Sequence, residues 1–295
     1  MRTLAITGPR SARRVVERFR AHTRLSGNGF DQISMASLDH VRDAIHAVRP
    51  DFLLLFGGDG TLNRHLDLVV GARLPLLVVP TGSGNDFAMT HGAKTAATAL
   101  DIWRDVCAGN VKITSVDLGQ VQCAEAAPRY FSCCCNFGLD ADGASRADRL
   151  PSWLKSRKGY FIGGAIAILR FHPQHLKISA DDREIDEVGW LVSVSNTPTY
   201  GGGLKIAPHA QTDDGLLDIT FVHGIPRAKL IEHFPKILSG QHVGLSGVQV
   251  FATKRLQVAS EGRLPVWADG EFMGHTPAEV VIAPQIMRVL RPYSV

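Results

Sequence analysis

Apolar positions in the first hundred residues follow two alternating patterns. Thr3–Thr7, Asp51–Phe56 (DFLLLF) and Leu74–Val79 (LPLLVV) are short, nearly continuous apolar runs, and the last two lead into glycine or proline. Between them, Ala12–Arg24, Leu38–Val48, Leu62–Val70, Asp86–His91 and Ala93–Ala108 read as helices, and Phe30–Met35 as a further strand. An unbroken apolar run suits a strand covered on both faces. Strands alternating with helices predict βα units and an open, mostly parallel sheet. The Ala12–Arg24 segment is conspicuously basic.

The pattern changes near Val111. Ile113–Val121, Tyr130–Asn136, Leu176–Ala180, Val188–Ser195, Leu216–Val222, Val248–Ala259 and Leu264–Ala268 read as strands, separated by turn clusters such as YGGG, TDDG and ADG. Helical patches interrupt around Ser152–Arg170 and Arg227–Leu238. The expected fold is an N-terminal α/β domain over 1–118 with a mostly parallel sheet, followed by a mainly antiparallel β domain over 119–295. The last residues are free to return to the first domain.

Composition narrows the class. Over 295 residues, 45% hydrophobic and 20% charged exclude a disordered chain. The net charge of +4 suits an anionic partner but does not by itself argue for nucleic acid. Five cysteines without a CxxC pair form neither a disulfide scaffold nor a zinc site, and Cys133–Cys135 read as buried strand residues in a reducing compartment. The start lacks a secretory apolar stretch, and the Gly159–Leu169 run is far short of the roughly 20 residues that span a bilayer. A cytoplasmic protein is expected.

Two strand-to-helix corners carry the strongest chemical signal: Gly57-Gly58-Asp59-Gly60-Thr61-Leu62-Asn63 and Pro80-Thr81-Gly82-Ser83-Gly84-Asn85-Asp86. Glycines let a ligand approach the backbone, and helix-start amides favour phosphate. In open α/β sheets ligands bind beyond the carboxyl ends of strands. Asp59 would repel bare phosphate unless Mg²⁺ stood between them. Each corner also reads as a tight turn with a capped helix, with Asn85-Asp86 as the capping pair.

These motifs resemble the diacylglycerol kinase catalytic-domain family, which includes bacterial lipid kinases related to sphingosine and ceramide kinases. GGDGTLN at 57–63 and PTGSGNDFA at 80–88 carry the likeness, with Asn136-Phe-Gly-Leu-Asp-Ala, the Tyr200-Gly-Gly-Gly stretch, Thr212-Asp-Asp-Gly-Leu-Leu-Asp and Asp269-Gly270-Glu271 in family order. The resemblance implies two domains with ATP in the cleft between them, Mg²⁺, and a lipid acceptor. It implies that Gly57, Gly58, Asp59, Gly60, Thr61, Leu62 and Asn63 hold the nucleotide with Ser83 and Asn85, and that Glu271 accepts the proton with Asp269 adjacent. It further implies a metal loop of Gln211, Asp214 and the Leu216 carbonyl. Arg64 stands where the family has Glu, and the first turn, Thr7-Gly8-Pro9-Arg10-Ser11, departs from the family's Asn-Pro-x-Ser-Gly.

The expected activity is ATP-dependent phosphorylation of diacylglycerol or a related lipid hydroxyl, with contact at the membrane surface compatible with that substrate. A NAD-kinase-like phosphotransferase, which shares GGDGT, and a non-catalytic lipid- or nucleotide-binding protein are the alternatives. From spacing alone Asp269-Gly270 reads as a two-residue hairpin turn, which is compatible with a tip that carries a base. Ser152–Arg170 reads as a core helix with a basic end or as a membrane-docking segment.

Overall fold

The structure, a computed structural model, describes residues 1–8, 13–35, 37–124, 126–139, 166–181 and 183–293. It divides into two compact units, Met1–Leu118 with Pro284–Val295, and Gly119–Ala283.

In the first unit the order is β1 (Arg2–Thr7), α1 (Arg13–Leu25), β2 (Gly29–Ser34), α2 (Leu38–Val48), β3 (Phe52–Gly57), α3 (Asp59–Ala72), β4 (Leu76–Pro80), α4 (Asp86–Thr90) and α5 (Ala96–Cys107). The strands run parallel in the order β2-β1-β3-β4. Leu53, Leu54 and Leu55 are wholly buried, as the unbroken run predicts. Each such side chain contributes roughly 1.5–3 kcal/mol on burial. Helix α1 turns Val16, Phe19 and Thr23 inward, where Phe19 meets Phe56 edge-on at 5.2 Å and the Trp103 indole donates to Thr23 Oγ1 at 2.8 Å. Helix α3 starts at Asp59, three residues before the predicted Leu62, because the Gly58 carbonyl already accepts from the Thr61 and Leu62 amides. The Asp-Gly-Thr triplet is therefore the first helical turn, not a loop.

The second unit is built from antiparallel pairs. Its described elements begin in β5 (Ile113–Cys123), which enters from the first unit, and continue through β6 (Arg129–Phe131), β7 (Cys134–Gly138), β8 (Gln174–Ala180), β9 (Arg183–Ser195), β10 (Leu217–His223), α6 (Arg227–His233), β11 (Val248–Thr253), β12 (Arg255–Ser260), β13 (Pro265–Ala268), β14 (Glu271–His275) and β15 (Ala278–Leu290). The first part of β9 pairs with β8, and its second part lies between β7 and β10. Phe131, Phe137, Val192, Val194, Ile219, Phe221, Val258 and Val280 form the core. Cys133, Cys134 and Cys135 are buried and unbridged.

Several elements differ from the sequence pattern. The single strand expected over Tyr130–Asn136 breaks at residues 132–133. The backbone amides there turn to the Asp269 carboxylate instead of a neighbouring strand. The run Val248–Ala259 breaks at Lys254, whose amide donates to the Asp181 carboxylate at 2.8 Å. Strands β14 and β15 were not anticipated. Of Ser152–Arg170, residues 166–170 are helical and the rest lies outside the described residues. Among the described residues no helix is long and apolar enough to cross a membrane.

Candidate functional site

In the first unit the two glycine corners sit at the carboxyl ends of adjacent parallel strands, with Gly57 paired to Pro80. They are bonded to each other. The Thr81 amide donates to the Gly57 carbonyl at 3.0 Å, and the Asp59 amide to the Gly84 carbonyl at 3.1 Å. A Cβ on Gly58 would overlap the Gly84 carbonyl oxygen, and one on Gly82 would lie 2.7 Å from Gly58 Cα. These two glycines are dictated by backbone meeting backbone. Gly60 differs, since a Cβ there meets nothing within 4 Å.

Asp59 joins the corners by its side chain as well. Its Oδ2 accepts from the Asp86 amide at 2.9 Å and its Oδ1 from the Phe87 amide at 3.1 Å. It thus caps α4 from a different helix, a role that Asn85 and Asp86 carry in the sequence reading. Asn85 instead closes its own loop, accepting from the Gly82 amide at 3.2 Å and donating to the Gly82 carbonyl at 2.9 Å. Leu62 is fully buried and Asn63 nearly so, so any nucleotide contact at Leu62 would be through its backbone. Thr61 is half-buried and Ser83 exposed. Arg64, one turn beyond Gly60 on the same helix face, is exposed.

Two histidines lie under these corners. His65 sits on α3 with Nδ1 2.8 Å from the Thr61 carbonyl, and burial holds it below its ordinary value. His91, packed on Phe87 at 4.4 Å, is held down to about 3 by burial and by the Arg291 charge. Sequence spacing alone gave neither a role.

In the second unit Asp269 and Gly270 form the tip of the β13–β14 hairpin with φ of 49° and 83°. Ala268 faces Glu271 across it. Both central residues at positive φ is the two-residue turn whose twist matches the strands. The carboxylate of half-buried Asp269 accepts from the Ser132 amide at 2.6 Å and hydroxyl at 2.9 Å, and from the Cys133 and Cys134 amides at 2.8 and 3.1 Å. Burial pushes its carboxyl up, against the pull of these four donors. The anchor fixes the tip from which half-buried Glu271 projects. A buried polar row lies behind it: Ser193 Oγ donates to Asn136 at 2.7 Å, and Asn196 donates to the Ser132 carbonyl at 2.9 Å. The sequence reading assigned Ser132, Ser193 and Asn196 nothing, although polar residues inside an apolar strand are the signal that could have found them.

The predicted metal loop is exposed at Gln211 and Asp214 and half-buried at Leu216. Asp214 Oδ1 accepts from the Leu216 amide at 3.0 Å. Asp218, two residues farther on, is pushed up to about 6 by burial and by the Asp214 charge, with His209 opposing. A divalent cation would relieve that crowding of negative charge, and an Asp carboxylate with backbone carbonyls is an oxygen donor set that Mg²⁺ or Ca²⁺ accepts. Among the described residues no three His, Cys, Asp or Glu side chains converge as a metal cluster, so an ion here would depend on carbonyls and Gln211.

Comparison with known proteins gives these corners a family. Residues 5–121 match the Diacylglycerol kinase catalytic domain, and residues 133–291 match the YegS C-terminal NAD kinase beta sandwich-like domain. The chain is 33% identical over 284 residues to a diacylglycerol kinase of Mycobacterium tuberculosis, covering 92% of this chain and 88% of that protein. It is 26% identical over 316 residues to a diacylglycerol kinase of Bacillus subtilis, covering 99% and 96%. A solved structure of a diacylglycerol kinase from Bacillus anthracis superposes with a TM-score of 0.72 at 17% identity, covering 98% of this chain and 96% of that one, a likeness of fold. With both units matched in order and most of its length shared with such relatives, the chain belongs to the diacylglycerol kinase family of lipid kinases.

Proposed function

We propose that this protein transfers the γ-phosphate of ATP to the hydroxyl of diacylglycerol or a closely related lipid. The observation that carries the reading is the pair of glycine corners, bonded to each other and clamped by Asp59, with Gly60 open on one and Ser83 exposed on the other. Such a rigid corner presents backbone rather than side chains to a ligand, as phosphate recognition requires. Gly60, Thr61 and Ser83 bind the phosphates from amide and hydroxyl groups, and the guanidinium of Arg64 adds a contact from the same face of α3. Asn63 and Leu62 support that turn from beneath. Mg²⁺, when bound, neutralises charge that develops on the transferred group.

Phosphoryl transfer leaves little covalent work for the protein beyond positioning and proton removal. Glu271 takes the proton of the attacking hydroxyl. Asp269, whose oxygens are committed to four donors, positions that residue and does not compete for the proton. Asp59 holds the two corners in register. The loop of Gln211, Asp214 and Leu216 holds a second, structural cation.

Radiolabelled ATP with Mg²⁺ and a lipid panel tests the reading. Label is expected in the phosphorylated form of diacylglycerol or a near relative, and Glu271→Gln is expected to cut turnover by about 10²–10⁴-fold. Absence of label from every lipid, together with conversion of NAD to NADP, would assign the chain to the soluble-nucleotide reaction instead.

A further inference from the structure

Two aromatic side chains on the hairpin that carries Glu271 have no part in the chemistry above. Strand β14 ends its sheet and pairs only with β13. Val266 and Ala268 of β13 are core residues, so alternation turns Trp267, between them, to the other face. Its cross-strand partner is Phe272, and the two rings meet edge-on at 5.8 Å. Phe272 also meets His275 edge-on at 5.2 Å, yet it stays 46% exposed. Glu271 pairs with Ala268, so it and Phe272 leave β14 on opposite faces. A ligand lying along the outer edge of the strand meets both. The Phe272 carbonyl on that edge is met by Arg129 Nη1 at 3.4 Å, and a basic side chain there discourages pairing with another strand. The indole N–H of half-buried Trp267 is itself buried and has no hydrogen-bond partner among the described residues. Buried indole N–H groups usually find one. Trp103 donates to Thr23 Oγ1 at 2.8 Å and Trp190 to the Ile225 carbonyl at 2.9 Å. A donor left over beside an exposed ring is a place for an acceptor that the protein does not supply.

We propose that Trp267 and Phe272 bind the acceptor lipid and select one whose hydroxyl lies next to an ester. The proposal rests on the lipid-kinase reading and gives it a specificity. In diacylglycerol the carbon bearing the free hydroxyl is bonded to a carbon bearing an ester, so hydroxyl and carbonyl are only a few bonds apart. With that hydroxyl at Glu271, the ester carbonyl accepts from Trp267 Nε1. The start of the acyl chain covers Phe272, whose exposed ring swings aside to admit it. Neither ring handles the proton. The four bonds that hold Asp269 fix the hairpin, so base, donor and ring keep their spacing. A site built to hydrogen-bond a substrate group rejects the analogue that lacks it. An ether lipid, with the same hydroxyl and chains but no carbonyl, is that analogue.

Kinetics on dioctanoylglycerol and its dioctyl ether analogue, each in neutral detergent micelles, test this. Wild type is expected to show a kcat/KM about three- to tenfold higher on the ester, the worth of one neutral hydrogen bond. Trp267→Phe is expected to lose that preference by falling on the ester lipid. Phe272→Ala should raise KM for either lipid by about tenfold, as for covering the exposed half of a phenyl ring, with KM for ATP unmoved. Phe272→Leu should recover most of that loss. Equal use of the two lipids by wild type would overturn the proposal. So would a Trp267→Phe variant that falls on both lipids alike, the mark of a packing role, or an unchanged lipid KM in Phe272→Ala. A chain that is dimeric as wild type and monomeric as Phe272→Ala, with lipid kinetics unchanged, would give the ring to self-association instead. Should Trp267→Phe not fold, the wild-type preference and the Phe272 variants still decide. If neither lipid acquires label, the kinase reading fails. Equilibrium binding of the two lipids in the same micelles then decides the contact: tighter binding of the ester by wild type supports it, and equal binding ends it.

Discussion

Replacing Asp269 with asparagine separates anchoring from chemistry at the hairpin. The carboxylate accepts from three backbone amides and one hydroxyl, all at 2.6–3.1 Å. An asparagine oxygen can keep the Cys133 and Cys134 amides. Its NH₂ then faces the Ser132 amide, donor against donor, while the Ser132 hydroxyl can turn to accept from it. The charge-assisted bond lost costs about 1.5–3 kcal/mol, and the three that remain, now neutral, are each weakened by up to about 1 kcal/mol. The neutral side chain recovers part of this, since the buried charge no longer has to be desolvated. The net loss is about 2–4 kcal/mol, a large share of the 5–15 kcal/mol that typically separates folded from unfolded protein. Glu271→Gln, at a half-buried position, should change stability by no more than about 0.5 kcal/mol while losing turnover. Urea unfolding followed by circular dichroism, paired with turnover of the folded fraction, distinguishes the two. An unfolding free energy of Asp269→Asn within about 0.5 kcal/mol of wild type would refute the amide anchor. Stability intact in both variants but turnover lost only in Asp269→Asn would make Asp269, not Glu271, the proton acceptor.

Other perturbations follow from the same geometry. Gly58→Ala pushes a methyl group into the Gly84 carbonyl, so a loss of about 1–3 kcal/mol and a sharp rise in KM for ATP are expected by denaturation and kinetics. His91, held down to about 3, is neutral when folded. The unfolded chain takes up its proton as pH falls through about 6.5, so stability is present above that pH and declines below it, by up to about 1.4 kcal/mol per pH unit. Both its ring nitrogens lack a hydrogen-bond partner among the described residues, so His91→Leu should flatten the pH 5–7 stability profile relative to wild type and raise stability at pH 5. Unchanged curvature in that variant would contradict this. Mg²⁺ should raise the thermal midpoint of wild type and fail to do so in Asp214→Asn. Equal shifts in both would remove Asp214 from cation binding.

The amino-acid sequence was informative where structure follows from local physics. The DFLLLF run needs two covered faces and so becomes a central parallel strand. The two glycine corners were visible because their residues are contiguous. What they do for one another was not visible. Asp59 reads as a metal or phosphate residue until its two oxygens are found on amides 27 and 28 residues away. Likewise Asp269 reads as an acid beside an acid until Ser132 and Cys133, more than 130 residues earlier, are seen to donate to it. That distant pairing also broke the strand that local pattern made continuous, and the long β15 passed unnoticed because Pro284 and the positive-φ Gln285 interrupt its alternation. Sequence alone thus determined which segments bury their side chains and where the backbone can turn. Which carboxylates are tied up as anchors and which remain for chemistry was decided only by tertiary structure, because a hydrogen-bond donor delivered across the fold leaves no periodic trace along the chain.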